Sequence, residues 1–334
     1  MPPWKVIFLL AGFALLYLIA KDIDLGDVAG LVGDVGTAGI AVVLLIYFLA
    51  FLGDSVSWML ILTSLPVSFA WIRRTFIVRL AGEAFNNVVP AGGFAGEPVK
   101  AVLLKSRYGV SYTEASASIV MARTVNMIAL IVFLLIGFVF MMLSEAIDGT
   151  LKATASAGLV FLSLGTALMF AIQRYNLSTW LTARFGERPW AARAAGAIKV
   201  VEDLDRRFLE FYTRNRGRLW AALLLAFVNW VLGVVEIYVT FRFLGTEIAW
   251  ADAWMMEALA QMIRAAVFFI PLGIGAQEGA FVVITTAVTG VPGLGLACAA
   301  VRRIRELVWI ILGLAAWTLY PTKFKDTMPD RNDC

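Results

Sequence analysis

The chain contains no histidine, only two cysteines and few charges. Without histidine, the commonest general base and metal ligand at neutral pH is missing. Cys298 and Cys334 lie too far apart to form a metal-binding spacing or a disulfide framework. Only 16% of the 334 residues are charged, whereas a soluble domain carries about a quarter. No Walker-type phosphate loop occurs, and "GIGAQEG" follows no strand, so no nucleotide fingerprint is present. The formal net charge of +4 is modest and gathers in a few loops. That pattern points to orientation in a membrane, not to nucleic acid. No cofactor and no metal are expected.

What is present is apolar. Hydrophobic residues make up 61% of the chain, and the mean hydropathy is +0.83. Six runs are long enough to cross a bilayer core: 4–20, 37–63, 113–143, 153–172, 218–244 and 294–320. The first is expected to be an uncleaved span and not a signal peptide, because no small-residue cleavage site follows it. The eleven tryptophans are expected mainly at the membrane interfaces. The short alternating segments of a β-barrel are absent. The fold class is therefore an all-α polytopic membrane protein, read as one transmembrane domain over 1–334.

Loop charges orient the spans. Segment 21–36 carries Lys21 against four aspartates, whereas 65–79 and 99–113 carry Arg73, Arg74, Arg79, Lys100, Lys105 and Arg107 with no acid. Loop 173–217 is rich in arginine. The positive-inside rule places 65–113 and 173–217 in the cytoplasm, 21–36 and 245–252 outside, and both termini inside. Within 173–217, Ile198, Val201, Leu204, Phe208 and Phe211 recur at helical spacing. They define an amphipathic helix, either lying on the inner leaflet or connecting two halves in solvent.

Two further segments, 76–105 and 250–290, have apolar arms around a Gly/Pro break. Broken backbone at membrane depth is tolerated only where it is buried in protein or lines a cavity. Each is therefore expected to form a re-entrant hairpin. The two breaks share a pattern. Pro90, Gly92 and Glu97 match Pro271, Gly273 and Glu278 as Pro-x-Gly-x-x-x-x-Glu. An acid lies upstream of each, Asp54 and Glu236, and cations lie in the span downstream, Arg123 in one case and Arg302, Arg303 and Arg305 in the other. Combined with the loop charges, these matches define an inverted repeat, 37–143 against 218–320, with 153–172 as the odd crossing. Interrupted segments meeting near the midplane are characteristic of transporters.

The breaks suggest a site. Gly92, Gly93, Gly96, Gly273 and Gly275 allow sharp turns, and Pro98 suits the first turn of a new helix starting near Gly96. Such a helix start presents N–H groups and partial positive charge, able to hold an anionic group such as a lipid phosphate. Asn86, Asn87 and Gln277 would add neutral hydrogen bonds, and Lys100 a further cation. Intramembrane ionisable residues are functional candidates, and these include Asp54, Glu97, Arg123, Glu236, Glu278, Arg302, Arg303 and Arg305. Architectural pairing is the competing role: Glu97 with Arg123, and Glu278 with Arg302 or Arg305.

The stretches "RLAGEAFNNVVPAGGFAGEPVKAVLL" and "IPLGIGAQEGAFV" with "AVRRIRELV" resemble the flippase-like family. That family comprises the transmembrane domain of lysylphosphatidylglycerol synthases and stand-alone relatives, including hopanoid-associated ones. The resemblance covers nearly the whole chain. It implies a bacterial inner-membrane protein that moves a polar lipid between leaflets. Asn87, Pro90, Gly93, Glu97 and Arg123, then Pro271, Gly275, Glu278 and Arg302 or Arg303, are the matching positions. Synthase activity is not expected, because no soluble domain of that size fits. The alternatives are an intramembrane lipid-modifying transferase and a non-transporting scaffold for lipid-synthesis enzymes. The expected partner is a membrane lipid substrate, with a lipid-synthesis enzyme or a second copy of the chain as further candidates.

Overall fold

The computed structural model describes residues 17–18, 20–21, 23–89, 94–174, 206, 209–267, 270 and 274–319, and every regular element among them is helical. The expected span 4–20, most of the amphipathic stretch in 173–217, and Pro90, Gly92, Gly93, Pro271 and Gly273 fall outside the described residues.

Helix α1 spans Leu25–Ile61. It begins where the Asp24 carboxylate accepts the Gly26 N–H at 2.7 Å, the usual way of satisfying an orphan helix donor. The sequence suggested an irregular loop over 21–36, but most of that stretch is helical. The helix is broken only at Gly36, where φ is 61° and ψ −178°, a combination open essentially to glycine alone. The whole helix, Leu25–Ile61, is long and apolar enough to cross a membrane.

The first hairpin consists of α2, Phe69–Val88, and α3, Gly96–Tyr108. Helix α4, Tyr112–Leu143, follows, then α5, Gly149–Arg174. The second half runs α6, Arg216–Phe243, α7, Trp250–Ala266, α8, Ala276–Thr289, and α9, Pro292–Leu319. Side-chain caps mark the starts of three of these helices: Ser68 for α2, Ser111 for α4 and Asp252 for α7. Four of these helices are long and apolar enough to cross a membrane, namely α1, α4, α5 through Ile172, and α6. Helix α9 is long enough, but Arg302, Arg303, Arg305 and Glu306 interrupt its apolar run.

The packing is reciprocal. If α1 to α4 are set against α6 to α9 in order, the neighbour relations within one set recur in the other: α1 with α2, α2 with α3, α3 with α4, α1 with α4. Across the sets, α9 packs on α2 as α7 packs on α4, and α9 on α1 as α6 on α4. The most extensive contact is α1 with α6, the pair that would lie on the pseudo-symmetry axis. Small residues permit the close crossings: Gly137 of α4 meets Ala258 and Trp254 of α7, and Gly313 of α9 meets Leu80 and Ala84 of α2.

The main core gathers Phe133, Phe241, Phe281, Met255 and Met256 from α4, α6, α7 and α8. Three tryptophans are core residues and not interfacial anchors: Trp58, Trp254 and Trp309. The indole N–H of Trp58 donates to the Ser118 hydroxyl and that of Trp254 to the Phe133 carbonyl. Phe211, expected on the apolar face of a surface helix, is instead buried against α1, α4 and α6.

Candidate functional site

A cavity of about 680 Å³ opens where the two hairpins and their neighbouring spans converge. Helices α1, α2, α3, α4, α6, α7 and α9 all supply side chains to it. Among the described residues its wall holds six carboxylates, Asp54, Glu83, Glu97, Glu236, Glu257 and Glu306, and six cations, Arg79, Lys100, Arg123, Arg264, Arg302 and Arg305. The formal charge of the wall is therefore zero. Asn86, Asn87, Asn126, Asn229 and Gln261 add neutral polar groups.

On the first-half side, Arg79 pairs with Asp54. Glu97 is held by Lys100 at 3.0 Å and by Arg123, so α3 is tied to α4. Asn86 accepts the Gly96 N–H at 2.7 Å and thereby caps α3 from α2. Asn87 donates to the Glu83 carbonyl of its own helix at 3.0 Å. The expectation of free N–H groups at the start of α3 needs correction. Asn86 occupies one of them, and the Glu97 N–H donates to the Phe94 carbonyl at 3.2 Å. Two of the first N–H groups of the helix are thus already engaged, which shifts the holding of an anion towards side chains. Gly96 is required for this geometry, since a Cβ there would overlap the Gly82 carbonyl.

The second-half side is a larger network. Glu236 accepts from Arg302 at 3.3 Å and from Arg305, and Arg302 reaches Glu257 at 2.7 Å. Arg302, Glu236 and Glu257 are all under 5% exposed. Glu306 gathers Arg264 at 2.9 Å, Arg303 at 2.7 Å and Arg305 at 3.7 Å. Arg305 also lies over the Tyr47 ring, 3.9 Å from its centroid, a favourable cation–π arrangement. Glu278 accepts from Arg303 at 2.7 Å and from the Gly275 N–H at 2.8 Å. Its cation is thus Arg303, where the spacing suggested Arg302 or Arg305. Successive positions on α9 point to different neighbours, and 3.6-residue periodicity brings Arg302 and Arg305, not Arg303, towards Glu236.

Of the residues singled out in the sequence, Asp54, Asn86, Asn87, Glu97, Lys100, Arg123, Glu236, Arg302 and Arg305 line the cavity. Gln277, Glu278 and Arg303 do not. Gln277 accepts from Arg264, and both Gln277 and Glu278 are buried at the start of α8. Gly275 and Gly96 sit at the helix starts, as their motifs implied. Glu83, Glu257, Arg264 and Glu306 were missed. Glu257, Arg264 and Glu306 are ionisable residues within apolar stretches, a signal that would have flagged them, whereas Glu83 sits in the more polar stretch "GEAFNN".

The fold and cavity define a class: an all-helical polytopic membrane protein with a charge-balanced polar chamber between two helical hairpins. The chain belongs to the lysylphosphatidylglycerol synthase TM region family, whose pattern matches residues 5–315. It is 25% identical over 277 residues to a UPF0104 membrane protein of Methanothermobacter thermautotrophicus, covering 78% of this chain and 79% of that protein. A UPF0104 membrane protein of Pyrococcus horikoshii is 25% identical over 243 residues, covering 70% and 72% respectively. No solved structure matches the chain.

Proposed function

We propose that the protein translocates a polar lipid between membrane leaflets, the headgroup passing through the central cavity while the acyl chains stay in lipid. The observation that carries this reading is the cavity itself: a chamber of about 680 Å³, walled by charged groups from both halves of an apolar chain. Unpaired charge is too costly in hydrocarbon to be kept there idly, and the volume is that of a small-molecule site. The reciprocal packing supports an inverted repeat over 37–143 and 218–320, whose halves rock about the α1/α6 contact to give alternating access. Loop charges support a plasma-membrane orientation with both termini in the cytoplasm. A scaffold reading gives no reason for such a cavity. A transferase would use the same carboxylates as acid and base, but five of the charged side chains, Glu236, Glu257, Arg302, Arg305 and Glu306, are engaged in ion pairs and at most about a tenth exposed, which favours architecture and electrostatics over proton shuttling.

Purified protein in vesicles carrying an acyl-labelled fluorescent phospholipid tests this directly. Transfer to the opposite leaflet, read by quenching of the outer label, should exceed that of protein-free vesicles. Asn126→Trp, which fills the cavity without removing a charge, should abolish the excess at unchanged thermal stability. Wild-type transfer by the filled variant would reject the route.

A further inference from the structure

The two hairpins match in sequence register but not in charge. Glu83 lies seven residues before Pro90, and Arg264 lies seven before Pro271. Both sit in the last turns of the first arm of their hairpin, on α2 and α7, and both line the cavity. Matching positions of the repeat thus present a carboxylate from one half and a guanidinium from the other.

Both also keep unused bonding capacity. Asp54, Glu97, Glu236, Glu257 and Glu306 each have a cation at ion-pair distance. Among the described residues no cation lies at ion-pair distance from Glu83, whose carboxylate accepts from the Asn86 amide at 3.4 Å. Arg264 donates through one nitrogen alone: Nη2 serves both Gln277 and Glu306. Its Nε and Nη1 have no protein partner among the described residues, and the side chain is 41% exposed. Both line one cavity, as does Tyr47 on α1. They therefore address the same space.

We infer that the cavity takes a zwitterionic phospholipid headgroup, its phosphate on Arg264 and its ammonium on Glu83. The inference rests on the translocation reading and narrows it to a substrate class. A guanidinium fork with free N–H groups matches phosphate oxygens. A carboxylate without a cation in a partly dry chamber calls for one. An anionic headgroup such as phosphoglycerol would satisfy Arg264 and leave Glu83 repelled. A purely cationic group would do the reverse. Only a headgroup carrying both signs leaves the wall neutral.

Binding and transfer are read separately so that the two proposals can fail separately. Native mass spectrometry of the purified protein should show phosphatidylethanolamine retained over phosphatidylglycerol by at least about tenfold, the size of one charge-assisted hydrogen bond. Glu83→Gln should erase that preference, and Glu83→Asp should keep it. Arg264→Gln should weaken both lipids alike, because the phosphate is common to them. Glu306 keeps Arg303 and Arg305 in that variant, so folding is preserved. Equal binding of the two lipids, or a preference that survives Glu83→Gln, overturns the headgroup inference even where transfer is robust. A phosphatidylethanolamine preference without leaflet transfer sustains the inference and rejects translocation. Soluble glycerophosphoethanolamine should compete only weakly, and competition equal to that of the lipid would assign the site to a free solute and overturn the lipid class.

Discussion

Glu97 and Arg302 differ in how tightly they are enclosed. Arg302 lies between Glu236 and Glu257, with all three side chains under 5% exposed. Arg302→Met leaves Glu257 without a cation and should cost ~3–5 kcal/mol, the usual penalty for stranding a buried charge. Thermal denaturation in detergent measures it. Arg123 is 39% exposed towards the cavity, so Arg123→Met should cost less than half as much. The double variant Arg123→Met/Glu97→Gln separates architecture from transport. It should be less stable than Arg123→Met alone, because Gln at 97 leaves the buried Lys100 without its carboxylate. If Arg123 also guides the phosphate, leaflet transfer stays slow, and full transfer by the double variant would confine Arg123 to architecture. These roles were only partly legible in the sequence. Glu97 and Arg123 were recognisable because a charge in an apolar run stands out. Glu83 was not, since its helix is polar enough near "GEAFNN" to hide it. The partner of Glu278 was open because three arginines within four residues fit any one-dimensional spacing.

At the scale of elements, the hairpins were visible because glycine and proline interrupt otherwise apolar runs, and the start of α3 at Gly96 followed from Pro98. What the sequence could not supply was the approach of α3 to α2. That approach depends on two glycines, Gly82 and Gly96, meeting face to face. Gly96→Ala should push the arms apart and cost ~1–3 kcal/mol, as overpacking generally does. Gly30→Ala is the control: nothing lies within 4 Å of a Cβ there, and alanine in a helix interior should gain roughly 0.5–1 kcal/mol over glycine. Thermal stability of the two variants should move in opposite directions. The helical stretch before Gly36 escaped hydropathy because its aspartates and glycines look like a loop. Its Asp24 cap was the available clue.

At the scale of the whole molecule, topology is the testable feature. With Cys298 and Cys334 replaced, single cysteines in 173–217 should react only with reagent on the cytoplasmic side, and those near 247–252 only from outside. Reaction of both loops from one side would remove the inverted repeat. Spacing alone suggested two halves but not the interlocking, because no local pattern encodes that α9 covers α2 while α4 covers α7. The same interlocking bears on energetics. On the translocation reading, a chain whose neighbour relations survive exchange of its halves would have a second shape of similar free energy, reached when each half adopts the posture of the other. The two postures would then be close to degenerate, separated mainly by the unmatched helix α5 and the unlike charges at 83 and 264. Such a device has little built-in direction. If it translocates lipid as proposed, it would equilibrate that lipid down whatever gradient synthesis and consumption maintain, with inward and outward rates that differ only as the supply differs.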